Sequence, residues 1–185
     1  MGDVQTDRGT ATTIADLAAD SGTLSSEEFV SRHGEAFLLH HGPLTSLEAP
    51  LESDRTLTVE GAATMADRPV ALKNEFLVFP VDPPGPDGSR ADMIWLGRSA
   101  FNEVIVPDAT VSEVHAFIRR EEDGTYYVQD TGSRNGTWVG DQQVPAQGVG
   151  EPVPLPSGAR VRIGTVRLTF LDAEAIRTLI SRLGR

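Results

Sequence analysis

Asp130-Thr131-Gly132-Ser133-Arg134-Asn135-Gly136-Thr137-Trp138-Val139 is the stretch whose reading decides the fold. Asn135-Gly136 is the strongest short hairpin signal in the chain, because both residue types tolerate positive φ. On either side of it, Thr125–Gln129 and Thr137–Val139 read as short strands. Moving outward, Met93–Leu96, Val104–Val106 and His115–Arg119 precede them, and Arg160–Ile163 and Val166–Leu171 follow. In the last pair Val161 and Ile163, then Val166, Leu168 and Phe170, point to one face at the period-2 spacing of a half-buried strand. Phe76–Val81 is a further short apolar run, and residues 82–88, rich in Pro, Gly and Asp, are a loop by composition. Short strands recurring about every 8–12 residues, with turns between them, predict an all-β sandwich over residues 74–171.

The ends of the chain read differently. Asp172 is placed to cap an amphipathic helix over 172–185, with Ile176, Leu179, Ile180 and Leu183 at i, i+3, i+4 and i+7. Arg177, Arg182 and Arg185 lie towards its carbonyl end, where cations are favoured. Residues 1–24, rich in Thr, Ala and Asp, read as a flexible tail. Residues 25–73 form an N-terminal extension with no assigned role. It opens on a capping box, Ser25 to Glu28, and a short helix ending at His33-Gly34. Phe37-Leu38-Leu39, Leu57-Thr58-Val59 and Val70-Ala71-Leu72 are each short enough to be strands.

Composition narrows the function. The 185 residues carry a net charge of −11, which disfavours nucleic acid and anionic membrane as partners. There is no cysteine, so disulfides, thiolate zinc sites and cysteine nucleophiles are excluded. No uninterrupted apolar run of membrane-spanning length occurs, and residues 1–20 lack the layout of a secretory signal; a cytoplasmic setting is expected. His40 and His41 are adjacent, so on a strand they face opposite ways and do not share a metal. Ser112-x-x-His115 lacks a third partner and a nucleophile elbow. Residues 132–136 lack the following helix of a phosphate-binding loop. No catalytic residue, metal or cofactor is expected, and the chain reads as a non-enzyme.

The motifs gain meaning from their order. Leu96-Gly97-Arg98 is followed by Asn102–Asp108, then by Val111-Ser112-Glu113-Val114-His115-Ala116. The Asp130–Val139 stretch comes next, and Leu155–Gly158 and Ile163-Gly164 close the series. This succession resembles the forkhead-associated (FHA) domain, of a bacterial type. The resemblance implies a sandwich of about eleven strands that reads phosphothreonine through loops at one end. It assigns Arg98 to the phosphate, and a forked, permanently charged guanidinium suits a dianion. It assigns Ser112 to the phosphate through its hydroxyl, Asn135 to the peptide main chain and Arg134 to a ligand-contacting position. Gly97, His115, Gly136 and Thr137 are architectural by the same comparison.

One residue departs from the pattern. Arg, Lys or Asn usually follows the motif serine, and here Glu113 does. A carboxylate about 6 Å from a phosphate charge costs roughly 3 kcal/mol at an effective dielectric of 20, and nearer 0.5 kcal/mol when turned into water at about 8 Å. Glu113 therefore either weakens binding or selects a basic residue beside the phosphothreonine. The expected function is a phosphothreonine-dependent adaptor whose partner is a Ser/Thr kinase, a kinase substrate or the chain's own tail. For the tail, Thr13-Ile14-Ala15-Asp16 sets an acid three residues after a candidate phosphoacceptor, Thr13. The alternative is a phosphate-independent structural scaffold that uses the same fold for assembly.

Overall fold

The computed structural model describes residues 11–40, 42, 76–81 and 93–183. The elements, in chain order, are β1 (Thr12–Thr13), α1 (Ile14–Ser21), α2 (Ser26–His33), β2 (Ala36–His40), β3 (Leu77–Pro80) and β4 (Met93–Gly97). They continue with β5 (Val104–Ile105), β6 (Ala116–Arg120), β7 (Tyr126–Asp130), β8 (Thr137–Val139), β9 (Gln142–Gln143), β10 (Val153–Pro154), β11 (Arg160–Ile163), β12 (Val166–Asp172) and α3 (Ala173–Leu183). The strands build a sandwich. One sheet runs β1-β3-β2-β12-β11-β8-β9, and the other runs β10-β7-β6-β4-β5. Among the described strands, β4 and β5 pair in parallel and the other pairs are antiparallel. Each strand expected between Phe76 and Leu171 is present to within about two residues, the usual scatter of element ends.

Alternation along the strands makes the sandwich core. Leu38, Phe79, Ile94, Leu96, Ile118 and Phe170 are among the side chains sealed between the sheets. Burying each such side chain contributes about 1.5–3 kcal/mol. A second cluster lies outside the seven-stranded sheet. There Phe37, Leu39, Val78 and Leu171 turn away from the sandwich and meet Ile14, Leu17, Phe29, Ile176 and Ile180 from the three helices. Strand β2 is thus buried on both faces, which is why it is apolar from Ala36 to Leu39.

The two capping expectations at helix starts agree with the structure. Ser25 and Glu28 form a reciprocal capping box, and Asp172 accepts the Ala175 amide at 2.8 Å.

Two expectations need correction. Residues 11–24 do not form a flexible tail: β1 pairs with β3, and α1 seats Ile14 and Leu17 in the helical layer. Those two apolar residues, three apart, suffice to bury one side of a two-turn helix whose N-cap, Thr13, accepts the Asp16 amide. Nor does residue 74 divide the fold, because β2, from the N-terminal extension, lies between β3 and β12 and pairs with both. The strands expected at 57–59 and 70–72 lie outside the described residues, as does His41. Two strands of the sandwich, β9 and β10, carried no apolar pattern of their own and were not expected.

Candidate functional site

Gly97 ends β4 and lets another backbone pass against it. A Cβ here would collide with the Glu113 carbonyl and come within 2.8 Å of Asn102 Nδ2. With no side chain in the way, the segment from Ser112 to His115 runs alongside Leu96 to Ser99. Arg98 donates its amide to the Ser112 carbonyl at 2.9 Å, Ser99 to the Glu113 carbonyl at 3.1 Å and His115 to the Leu96 carbonyl at 2.8 Å. Asn102 Nδ2 fastens the same crossing, donating to both the Ser99 and the Glu113 carbonyls at 2.7 Å. Arg98 and Ser112 are consequently neighbours through their backbones.

The Arg98 side chain is half-buried. Its Nε donates to the Val111 carbonyl at 3.3 Å, which turns the fork of the guanidinium, while Nη2 is buried without a hydrogen-bond partner among the described residues. Buried donors are satisfied in the great majority of cases, and an unsatisfied one on a charged group is expensive. The arrangement suits an arriving anion.

The second loop is drawn to the first. The Arg134 amide donates to Ser112 Oγ at 3.2 Å, and Asn135 Nδ2 donates to the Thr110 carbonyl at 2.7 Å. The conformation of this loop is imposed from below by Asp130. Its buried carboxylate accepts from the Gly132 and Ser133 amides at 2.7 and 2.8 Å, and from the Ser133 and Thr137 hydroxyls at 2.6 and 2.7 Å. Gly136 closes the turn at φ 75°, with the Trp138 ring where its Cβ would be. Between the loops His115 is fully buried, and burial pushes its pKa down. Its Nδ1 accepts from the Ser112 amide and its Nε2 bonds to the Gly136 carbonyl, both at 3.0 Å, which requires the neutral imidazole with the proton on Nε2.

Four of the expected residues, Arg98, Ser112, Arg134 and Asn135, therefore sit on two loops tied together through Ser112 and Thr110. Glu113 shares the crossing only through its carbonyl, and the residue is exposed. The network also contains Thr110, Asn102 and Asp130, whose importance sequence reading understated. The Asx-type signal was present at Asp130, which precedes Gly and Ser at the spacing its carboxylate serves.

Thr13 is elsewhere. It caps α1 by accepting the Asp16 amide at 3.2 Å and donating to the Asp16 carboxylate at 2.7 Å, which holds that carboxyl below the usual range. β1 and β8 are five strand positions apart in the same sheet, about 24 Å at the usual spacing. The structure does not bring Thr13 to the Arg98 loops. Among the described residues no group of three or more His, Asp or Glu side chains is arranged to hold a metal, and no helix is long and apolar enough to cross a membrane.

The FHA domain family model matches residues 94–164, the segment that contains both loops. Residues 94–164 are an FHA domain. Over 76 residues the FHA segment is 38% identical to an oxoglutarate dehydrogenase inhibitor of Corynebacterium diphtheriae, covering 41% of this chain and 48% of the other. Over 75 residues it is 39% identical to the glycogen accumulation regulator GarA of Mycolicibacterium smegmatis, covering 40% and 43%. The chain thus spans a little under half the length of these bacterial relatives. A solved structure from work on phosphothreonine-dependent FHA domain interactions is 25% identical, with a TM-score of 0.38, covering 46% of this chain and 88% of that one.

Proposed function

We propose that this FHA protein is a non-enzymatic adaptor that binds a phosphothreonine segment of its partner in Ser/Thr kinase signalling. The observation that carries the reading is the Arg98 guanidinium. It is turned by Val111, backed by Ser112 and left with a buried Nη2 that has no partner among the described residues. A phosphate dianion supplies the missing acceptor. Ser112 Oγ accepts a hydrogen bond from the Arg134 backbone amide, which leaves its own O–H to donate to the phosphate. Arg134, exposed on the facing loop, adds a second positive charge, and Asn135, tied through Nδ2 to the Thr110 carbonyl, is the residue assigned to the peptide main chain. Glu113 is exposed, which favours the smaller electrostatic penalty and the selection of a basic residue beside the phosphothreonine.

The partner class is a Ser/Thr kinase or a kinase substrate, and the setting is the cytoplasm. Relatives whose names describe an inhibitor and a regulator support a regulatory role over a catalytic one. No observation favours intramolecular binding through Thr13.

Calorimetric titration tests the reading with an oriented phosphothreonine peptide library, its unphosphorylated twin and the Arg98→Ala protein. Charge-assisted hydrogen bonds contribute about 1.5–3 kcal/mol each, so Arg98→Ala weakens binding by roughly 10- to 150-fold. Binding indifferent to the phosphate, and preserved in Arg98→Ala, would replace the adaptor with the phosphate-independent scaffold.

A further inference from the structure

The outward face of the seven-stranded sheet changes character across β12. On β2, β3 and the end of β12 the outward side chains are apolar and lie under the helices. Beyond them, alternation sends Val161, Ile163, Val166 and Leu168 inward and leaves Arg160, Arg162 and Arg167 outward. Arg162 is paired across the strands with Arg167 on one side and Trp138 on the other. Arg160 and Arg167 are exposed, and Arg162 is half-buried. Its guanidinium lies 3.5 Å above the Trp138 ring, and Nη1 donates to the Gly164 carbonyl at 2.8 Å.

None of these three arginines forms an ion pair with another described residue, although the chain as a whole carries a net charge of −11. Like charges facing one another across strands are destabilising. Burial, and after it the neighbouring Arg167, push the Arg162 pKa down, as expected of a cation without a counter-charge among the described residues.

We infer that Arg160, Arg162 and Arg167, beside Trp138, form a docking surface for an extended acidic segment of a partner protein. The spacing argues for a polypeptide. Arg160 and Arg162 stand two residues apart on one strand, about 7 Å, and Arg162 and Arg167 stand on adjacent strands, about 5 Å. One phosphate does not span that area, whereas carboxylates at alternate positions of an extended chain repeat at the same 7 Å or so. Nucleic acid fits less well. Trp138 is covered by Arg162 and abuts Gly136, so it offers no open stacking platform, and the net charge repels a long polyanion. The surface stands apart from the phosphothreonine reading, since its ligand carries no phosphate.

The chain has two tryptophans, and they report separately: Trp138 on β8 adjoins the arginines, while Trp95 on β4 belongs to the other sheet. The full-length ¹⁵N-labelled protein is titrated with a twelve-residue oligoglutamate peptide, and the two indole N–H resonances are followed. Expected is a saturable shift of Trp138 with Trp95 unmoved, and roughly tenfold weaker binding in the R160S/R167S protein, as for two exposed charge pairs removed. R160E gives a second reading in the same direction should the double variant fail to fold. A Trp138 resonance that stays still, or a titration unchanged in R160S/R167S and R160E, would overturn the inference. Tighter binding of a twelve-residue oligothymidylate than of the peptide at equal salt would transfer the surface to nucleic acid and equally overturn it.

Discussion

His115 Nδ1 accepts the amide proton of Ser112 at 3.0 Å, so a buried imidazole holds the residue that the phosphate is expected to meet. The same ring reaches the Gly136 carbonyl through Nε2 at 3.0 Å, bracing both loops with one side chain. Protonation converts Nδ1 from an acceptor into a second donor facing an N–H group. The loop geometry therefore depends on a neutral His115.

Burial lowers the His115 pKa below the ordinary 6.5, so in this region the unfolded chain binds more protons than the folded one. The contribution of His115 to stability is fully present above pH 6.5 and is lost as pH falls towards the depressed folded value. Chemical denaturation between pH 5 and 8 should show a decline below about 6.5, of at most about 1.4 kcal/mol per pH unit for this one group. The difference between wild type and His115→Gln isolates it. Equal pH slopes for the two proteins would remove His115 as the cause.

Gly97→Ala should disturb the Arg98 crossing, because the added methyl meets the Glu113 carbonyl, a backbone atom, and the Asn102 amide. Overpacking of this kind costs about 1–3 kcal/mol. Thermal melting should show the loss, and amide resonances of Ser99 and Glu113 should move. A melting temperature equal to that of wild type would mean that the two loops separate without penalty.

Asp130→Asn should loosen the recognition loop more than it harms the sandwich. The carboxylate accepts four hydrogen bonds, and an amide NH₂ in place of one oxygen turns donor against donor. A loss of about 2–3 kcal/mol is expected for leaving buried donors unpaired. Hydrogen exchange should accelerate at Gly132, Ser133 and Gly136, while the β11–β12 amides stay protected. Uniform acceleration throughout the sheet would contradict a local role.

Arg177→Ala should release the N-terminal helices. From α3, Arg177 Nη2 donates to the Leu24 and Ser21 carbonyls at 3.0 and 3.3 Å, Nη1 donates to Ser26 Oγ, and the guanidinium lies 5.4 Å from the Phe29 ring centre. Limited proteolysis should cut faster between residues 14 and 33 in the variant, and stability should fall by about 1–3 kcal/mol. An unchanged cleavage pattern would show that apolar packing alone holds the layer.

The sandwich was legible because its causes are local. Val161, Ile163, Val166, Leu168 and Phe170 encode which way two strands face, whereas Asn135-Gly136 makes no hairpin: β7 and β8 lie in opposite sheets, and only Gly136 of the pair has positive φ. Arg98, Ser112 and Asn135 were picked out by the resemblance of the ordered motifs to the FHA domain, not by any local period. Gln142-Gln143 and Val153-Pro154 were not legible as strands. Two-residue segments hold no period, and their pairing is set by the backbones of β8 and β7.

From the sequence alone come the alternation and the caps, since each depends on side chains within a few positions of one another, and the loop residues came from the resemblance their ordered motifs carry. Tertiary structure decided what distant segments do to each other. It placed Ala36–His40 inside the sheet and folded residues 11–24 onto α3. It also placed Thr13 five strands from β8, left Arg98 Nη2 without a partner among the described residues, and set Arg162 between Trp138 and Arg167. The physical reason is that backbone pairing and burial are satisfied between segments far apart in the chain, and no local pattern records which partner will be found.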